Sequence, residues 1–268
     1  MAAQIRTLVS AQWLLDAIKN NGIGPKLRII DASWYLKKTK RDPKAEFAQS
    51  HIPGSSFFDI DECCDKSAEG LDHMLPTSEH FSEFVGELGI GNDTHVVVYD
   101  THNFGAFSAP RVWWMFRVFG HDMVSKFKAT LKKSWVKTYD DILDNIKTKA
   151  VQVVDARSKG RYRGVEPEPR DDVLPGHYPG TINIPFPSLL DETGKMLPLE
   201  ELAKKFKDAG VDIQKPLWAT CGSGVTACVL ILGAHLLGHP GPCLYDGSWT
   251  EWFKKAPKEY IISEEQNN

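Results

Sequence analysis

The sequence has few cysteines, no long apolar run and little net charge, and each feature excludes a class of protein. The five cysteines are an odd number and none stand as C-x-x-C, which argues against a disulfide scaffold and a structural zinc site. The longest nearly apolar stretch, residues 227–238, contains His235 and is too short for a transmembrane helix. The 32 basic and 35 acidic side chains leave a net charge of −3, so nothing favours binding to nucleic acid or to an anionic membrane.

The length and composition are those of an ordinary globular chain. With 268 residues, of which 42% are hydrophobic and 25% charged, the chain is long enough for about two domains. The first 20 residues lack the apolar core and the cleavage pattern of a signal peptide. We therefore expect a protein of the cytoplasm or a comparable reducing compartment.

An internal repeat sets the architecture. Five segments recur in the same order at an offset of 118 to 126 residues, a period too long for a solenoid. The matched segments are 29–34 with 153–158, 51–60 with 177–186, 79–90 with 200–211, 96–100 with 217–221, and 120–121 with 238–239. We interpret the chain as two copies of one unit of about 120 residues.

Each copy has the same order of local signals. A β-branched run ends in Asp31 or Asp155 and is followed by a His-x-Pro-Gly turn. An amphipathic helix comes next, and then a second apolar run, 96–99 or 217–220, that predicts a buried strand. Strands that alternate with helices predict an α/β fold in which each copy has a mainly parallel sheet covered on both faces. Ligands of such sheets bind beyond the carboxyl ends of the strands, where one copy has Cys221 and the other Asp100.

The segment around Cys221 carries the most chemical information. A predicted strand delivers the cysteine to a loop with Gly222 and Gly224, and an apolar helix over 225–237 follows at once. The glycines allow a tight turn that directs N–H groups to one point, and the helix adds the positive end of its dipole. This setting stabilises a thiolate and an anion bonded to its sulfur, so we favour a reactive cysteine over one that only packs in the core.

Six motifs together resemble the rhodanese superfamily of sulfurtransferases in its two-domain form, and within it the enzymes that use 3-mercaptopyruvate. The motifs are CGSGVTAC at 221–228, GRYRGVEPEPRD at 160–171, FDID at 58–61, DHMLP at 72–76, SAPRVWWMFRVFGH at 108–121 and YDGSWTEW at 245–252. The resemblance implies two tandem rhodanese-like domains over residues 1–125 and 137–268, with a residual linker over 126–136. It also implies that Cys221 carries the sulfur as a persulfide and that the reaction needs no cofactor or metal.

The loop distinguishes three chemistries that share this architecture. Ala227 stands where a Cys-x₅-Arg phosphatase loop has its arginine, so hydrolysis of phosphate esters is disfavoured. Thiosulfate sulfurtransferases of the family have basic residues directly after the cysteine, whereas this chain has Gly222 and Ser223. The loop therefore favours a donor whose charge lies elsewhere, although thiosulfate remains the alternative donor.

Two arginines are candidates to bind that charge. Arg161 and Arg170 lie on a loop predicted over 160–172, and a guanidinium fork suits a carboxylate and a neighbouring keto oxygen. Taken alone, the residues favour a surface loop held by ion pairs with Glu166 and Glu168, because runs of charge usually face solvent. The resemblance assigns both arginines to the donor, together with the loop residues Gly222, Gly224, Val225 and Thr226.

The resemblance also implies a relay in which Ser223, His73 and Asp61 move a proton beside Cys221. A histidine held by a carboxylate and in contact with a hydroxyl suits proton transfer near neutral pH. The implied partners are 3-mercaptopyruvate and thiol acceptors such as reduced thioredoxin or small thiols, with pyruvate and hydrogen sulfide as products. The family that the chain resembles includes cytosolic and mitochondrial proteins. We expect this protein to be a monomer or a weak dimer.

The first copy is shorter than the repeat requires. The second copy continues after Gly238-His239 with a predicted strand near 243–245 and a helix that bears two tryptophans. The first copy has only residues 122–135 in the corresponding place, too few for a strand, a turn, a helix and a linker. Met123 to Ser125 are the predicted remnant of the strand. We expect an incomplete first domain with weakened stability, and hence either reduced activity or a rhodanese module that binds without turnover.

Overall fold

The computed structural model describes residues 7–20, 22–121 and 129–264, which form two parallel β-sheets with helices against them. The first sheet has β1 (Leu27–Asp31), β2 (Ser55–Phe57) and β3 (His95–Tyr99) in the order β2-β1-β3. Its helices are α1 (Ala11–Lys19), α2 (Pro43–Gln49), α3 (Ser78–Glu87) and α4 (Ala109–Val118).

The second sheet has five strands, in the order β4-β8-β7-β5-β6. The strands are β4 (Val136–Lys137), β5 (Gln152–Asp155), β6 (Thr181–Asn183), β7 (Leu217–Thr220) and β8 (Cys243–Tyr245). The helices are α5 (Tyr139–Thr148), α6 (Lys159–Arg163), α7 (Leu199–Asp208), α8 (Ala227–Leu236) and α9 (Ser248–Lys255). Short 3-10 helices lie at Lys37–Thr39, Lys133–Trp135, Phe186–Leu189 and Lys258–Tyr260.

Local sequence explains where the helices start. Thr77 caps α3 by accepting a hydrogen bond from the His80 N–H, and α3 then buries Phe81 and Val85. Thr138 and Asp141 form a reciprocal capping box at the start of α5. The predicted α/β architecture with parallel sheets is confirmed, and the strand predicted over 217–220 has those bounds.

The two copies share one core. Helices α4 and α8, which occupy equivalent places in the repeat, pack against each other. Buried residues of both helices, among them Trp114 and Leu230, belong to a single hydrophobic cluster. The loop that precedes each helix therefore lies at the junction of the two domains. Within the described ranges, no helix is long and apolar enough to cross a membrane.

The two sheets differ at the strand that leads to each loop. In the second sheet β7 pairs with both β5 and β8, whereas in the described part of the first sheet β3 pairs with β1 alone. The prediction of an incomplete first domain stays a prediction. The predicted strand remnant at Met123 to Ser125 lies outside the described residues. Residues 129–132 lie against the end of α4, where Thr130 donates to the Phe119 carbonyl at 3.0 Å.

His102 makes the stability of the first domain depend on pH. Its ring stacks on Phe107 with centroids 3.9 Å apart, and burial with the nearby Arg41 charge lowers its pKa from 6.5 to about 4. The folded state therefore favours the neutral ring, and its contribution to stability is lost as the pH falls from 6.5 towards 4. We expect His102→Phe to remove about 1–2 kcal/mol of the stability that the wild type loses on acidification. The effect is smaller than the full pKa shift would give, because solvent reaches part of the ring.

The measurement is the free energy of unfolding by urea at pH 7 and pH 4.5 for both proteins. The wild type should lose more stability than His102→Phe over this interval. Equal losses would show that His102 stays accessible to protons in the folded state.

Candidate active site

Cys221 is the first residue after β7, the central strand of the five-stranded sheet, and its side chain is 2% exposed. The loop over 221–226 turns the chain from β7 into α8. Gly224 has a φ of +77°, and a Cβ there would lie 3.0 Å from both Arg111 Nη1 and the Asp246 carbonyl. Only glycine fits this turn, because a side chain would meet both strain and a buried ion pair.

The carbonyls of the loop are bound from one side. The Cys221 carbonyl accepts from Trp249 N–H at 3.0 Å, and the Gly222 carbonyl accepts from Thr250 N–H and Oγ1 at 3.0 and 2.8 Å. In a trans peptide the carbonyl and the following N–H point in opposite directions. The N–H groups of residues 222 and 223 therefore point away from α9.

The backbone N–H groups of the loop are available to a ligand. Within the described part of the chain, the backbone N–H groups of residues 222–226 have no hydrogen-bond partner. They stand in front of the first turn of α8, whose dipole adds positive potential. The loop is therefore an anion cradle that fits a negatively charged sulfur or an enolate oxygen close to Cys221.

A cleft of about 450 Å³ opens in front of this loop and is lined by both domains. Cys221, Ser223 and three of the predicted loop residues, Gly222, Val225 and Thr226, form its floor. Gly224 does not line the cleft; its free side faces Arg111, so its part in the loop is conformational. Four aromatic side chains also line the cleft; they are Trp34, Phe104, Phe107 and Phe186.

Both predicted arginines reach the cleft and converge on the loop. A Cβ at Gly222 would lie 3.1 Å from Arg161 Nη2 and 3.8 Å from Arg170 Nη1, so two guanidinium groups border the same residue. Arg161 lies on the short helix α6 and not on a loop as predicted, because Ser158 caps that turn. A carboxylate bound by these two forks would lie beside the residue that follows the cysteine.

The structure changes the predicted ion pairs of these arginines. Arg161 pairs with Glu168, as the surface-loop interpretation proposed, through contacts of 3.1 and 2.5 Å. Glu166 pairs with neither arginine and instead accepts from Ser158 Oγ. Arg170 donates to Asp72 of the first domain at 2.9 and 2.7 Å, a contact that the sequence did not indicate.

Asp61, His73 and Ser223 form a continuous hydrogen-bonded chain across the domain junction. His73 Nε2 lies 2.9 Å from Asp61 Oδ1, and His73 Nδ1 lies 3.2 Å from Ser223 Oγ. Partial burial acts to raise the pKa of Asp61, but hydrogen bonds from His73 and Trp34 outweigh it and the pKa lies below its usual value. The carboxylate therefore stays ionised near neutral pH and can stabilise a protonated imidazole.

Two residues that sequence reasoning missed hold this chain in place. Trp34 donates to Asp61 Oδ2 at 3.0 Å, and its ring meets the His73 ring edge-on at 4.7 Å. Arg111 of α4 is 1% exposed and donates to Asp246 at 2.7 Å and to the His73 carbonyl at 2.6 Å. Arg111 stands in the motif at 108–121, which was noted only for its likeness to a family.

The remaining cysteines have different surroundings. Cys63 and Cys228 are buried, Cys64 and Cys243 are half-buried, and all five cysteines are free. Burial raises the pKa of each of these four thiols, which disfavours the thiolate form. None of the four lines the cleft, so Cys221 is the one thiol of the described residues that faces it.

In the first copy a carboxylate fills the place that is open beside Cys221. Asp100 follows β3 as Cys221 follows β7, and its Oδ2 accepts from the N–H groups of Phe107, Ser108 and Ala109 at 3.0, 2.8 and 2.6 Å. These donors belong to the start of α4. The first copy therefore satisfies its own loop, and only the second offers free donors beside a nucleophile.

The residues described in the structure include no group of three or more His, Cys, Asp or Glu side chains placed to hold a metal ion. The chemistry of the cleft rests on the Cys221 thiol, the Ser223 hydroxyl and the guanidinium groups of Arg161 and Arg170. The His73 imidazole and the Asp61 carboxylate do not line the cleft and reach it through Ser223. Such a set suits nucleophilic attack by sulfur with proton transfer and binding of a small anion.

The rhodanese-like domain model matches the chain twice, at residues 10–132 and 138–255. Human 3-mercaptopyruvate sulfurtransferase is 49% identical over 285 aligned positions, covering 97% of this chain and 96% of the relative. That alignment is longer than this chain of 268 residues, so some positions of the relative have no counterpart here.

Two further proteins match this chain over nearly the full length of both partners. Rat thiosulfate sulfurtransferase is 46% identical over 97% of this chain and 96% of its own length. The crystal structure of the Tum1 protein from Saccharomyces cerevisiae is similar with a TM-score of 0.84 and 33% identity, over 96% of this chain and 97% of that one. The chain therefore belongs to the rhodanese family of sulfurtransferases, in its two-domain form.

Proposed function

We propose that this protein takes sulfur from 3-mercaptopyruvate onto Cys221 and passes it to thiol acceptors or to cyanide. The observation that carries the proposal is the meeting of two guanidinium groups at Gly222, next to a cysteine in a loop of free N–H groups. A 2-keto acid has the carboxylate and the keto oxygen that such a pair of forks binds. Several relatives bear the name 3-mercaptopyruvate sulfurtransferase, which supports the same donor.

The first half-reaction transfers the sulfur. The Cys221 thiolate attacks the thiol sulfur of the donor, a sulfur–sulfur bond forms, and the electrons of the breaking carbon–sulfur bond pass into the enolate of pyruvate. The donor's thiol proton stays on the outer sulfur of the persulfide. Arg161, Arg170 and the loop N–H groups stabilise the enolate oxygen. Ser223, backed by His73 and Asp61, supplies the proton that converts the enolate into pyruvate.

The second half-reaction restores the thiolate. An acceptor thiolate attacks the outer sulfur, takes it as a persulfide, and leaves Cys221 ionised within the anion cradle. A second thiol then releases hydrogen sulfide and forms a disulfide of the acceptor. Reduced thioredoxin and small thiols are the acceptors that we propose, because the cleft opens at the domain junction and is not enclosed in one core.

Thiosulfate is the competing donor. Its dianionic character favours basic residues in the loop itself, where Gly222 and Ser223 are neutral and the positive charge near Gly222 comes from Arg161 and Arg170. Pyruvate release from 3-mercaptopyruvate with a reduced thiol acceptor, measured beside thiocyanate formation from thiosulfate and cyanide, decides between them. We expect faster turnover of 3-mercaptopyruvate, and a preference for thiosulfate would overturn the assignment of the donor.

Replacing Arg161 by lysine should weaken donor binding more than it slows chemistry. Lysine keeps the positive charge but loses the planar fork, so we expect the KM for 3-mercaptopyruvate to rise about tenfold. Arg163→Lys is the matched control, because Arg163 lies on the same helix and pairs at the surface with Glu264. An unchanged KM in Arg161→Lys would remove this arginine from donor recognition.

The alternative is a rhodanese module that holds sulfur without turnover. It is favoured by β3, which has a single strand partner within the described residues, whereas β7 has two. A Cys221 persulfide that forms with the donor but is not passed on would support this alternative.

A further inference from the structure

We propose that Asp72 is a displaceable internal ligand of Arg170, which the donor carboxylate replaces on binding. The inference rests on the proposed function and concerns the affinity for the donor. In the structure Asp72 Oδ2 accepts from both Nε and Nη2 of Arg170, at 2.9 and 2.7 Å. Asp72 therefore occupies the Nε–Nη2 edge of the guanidinium group, whereas Nη1 is the atom nearest to Gly222. A donor carboxylate that spans Nη1 and Nη2 competes with Asp72 at Nη2.

The two arginines that border Gly222 are held very differently. Arg161 pairs with Glu168, which is 3% exposed and also accepts from the buried Arg157 at 2.8 Å. A carboxylate shared by two arginines and shielded from water is a fixed part of the site. Asp72 is 58% exposed and belongs to the other domain, and an exposed ion pair of this kind is weak. Arg170 is thus the arginine whose partner can leave at low cost.

Asp72 can leave without disturbing the relay. The next residue, His73, is held independently by Asp61 and Ser223 through its ring and by Arg111 through its carbonyl. The outer oxygen of Asp72, Oδ1, has no hydrogen-bond partner within the described residues. A rotation of the Asp72 side chain therefore breaks only the two contacts to Arg170.

Displacement replaces the Asp72 carboxylate on Arg170 with the carboxylate of the donor. Arg170 gives up one carboxylate and gains another, so its charge is paired before and after donor binding. The donor must nevertheless compete with Asp72, and its apparent affinity is reduced by the fraction of molecules in which the internal pair is closed. Removing the Asp72 charge should remove this competition.

The test is the Asp72→Asn variant in the full chain. We expect the KM for 3-mercaptopyruvate to fall about two- to fivefold with kcat unchanged, the range that an exposed ion pair supplies. Pyruvate, which has the same carboxylate and keto group, should bind the variant more tightly by the same factor in calorimetry. Both effects should shrink at high salt, because screening weakens the internal pair in the wild type.

Two further variants isolate the contact. Asp93→Asn is the matched control: Asp93 is 53% exposed, pairs with Lys26 and precedes β3, at the sheet end opposite the cleft. It should change neither KM nor the affinity for pyruvate. In an Arg170→Met background, Asp72→Asn should have no further effect on either quantity, because the group for which the two carboxylates compete is gone.

The outcomes separate this inference from the proposed function. An unchanged or raised KM, with unchanged or weaker pyruvate binding, would overturn the displacement and show that Asp72 serves to position Arg170. Failure of the wild type to release pyruvate would overturn the proposed function, while tighter pyruvate binding by Asp72→Asn would still support the displacement. Absence of pyruvate binding to both proteins would overturn the inference.

Discussion

Cys221→Ser should abolish sulfur transfer from both 3-mercaptopyruvate and thiosulfate, with a loss of at least about a thousandfold in turnover. A serine hydroxyl stays protonated at neutral pH and is a poor nucleophile toward sulfur, so no intermediate forms that can carry the sulfur. The side chain is nearly isosteric, and the backbone of residue 221 remains bonded to Ser248 and Trp249. We therefore expect the variant to fold.

Cys228→Ser is the matched control for the loss of a thiol next to the loop. Cys228 is fully buried and donates to the Gly224 carbonyl, and it does not line the cleft. Mass spectrometry after donor treatment should find one added sulfur atom in wild type and Cys228→Ser, and none in Cys221→Ser. Normal pyruvate release by Cys221→Ser would disprove the persulfide mechanism.

Arg111→Met should destabilise the protein by about 3–5 kcal/mol, the usual consequence of removing one partner from a buried ion pair. Asp246 would lose its charged partner in an interior position, where its other oxygen accepts from the Leu75 N–H at 2.7 Å. The His73 carbonyl would lose its contact at the same time. The free energy of unfolding in urea measures the effect, and activity should fall with it because two parts of the site lose a common support.

The exposed Arg163 provides the comparison for this substitution. Arg163 is 44% exposed and pairs with Glu264, so Arg163→Met should cost less than about 1 kcal/mol. In the double variant Arg111→Met with Asp246→Asn, part of the loss should be recovered, because the orphaned charge is gone. If Arg111→Met and Arg163→Met lowered the free energy of unfolding equally, the buried ion pair would stabilise the protein no more than the exposed one.

Much of the fold could be predicted because the signals are local and occur twice. Apolar runs mark β3 within one residue and β7 without error, and the helix predicted over 225–237 is α8 at 227–236. Cys221 was recognised because strand, glycines and helix adjoin it in the chain. Each of these signals lies within about ten residues, where periodicity and turn chemistry determine the structure.

The site beyond the loop could not be derived in this way. Asp61, His73 and Ser223 meet across the domain junction, and only the likeness to a family brought them together in advance. Trp34 and Arg111 escaped notice because their partners stand 27 and 135 residues away, and a residue's own neighbours in sequence do not indicate such contacts. The ion pair between Asp72 and Arg170 spans 98 residues and escaped notice for the same reason.

The carboxylate of Asp100 has a consequence for how the two halves respond to their surroundings. The Asp100 carboxylate accepts hydrogen bonds from three N–H groups at the start of α4. In the first half, these N–H groups are therefore bound by a side chain of the protein itself. The two halves of the repeat therefore differ in their loops: in the first half the N–H groups at the start of α4 are bound within the chain, and in the second half those of residues 222–226 have no partner among the described residues.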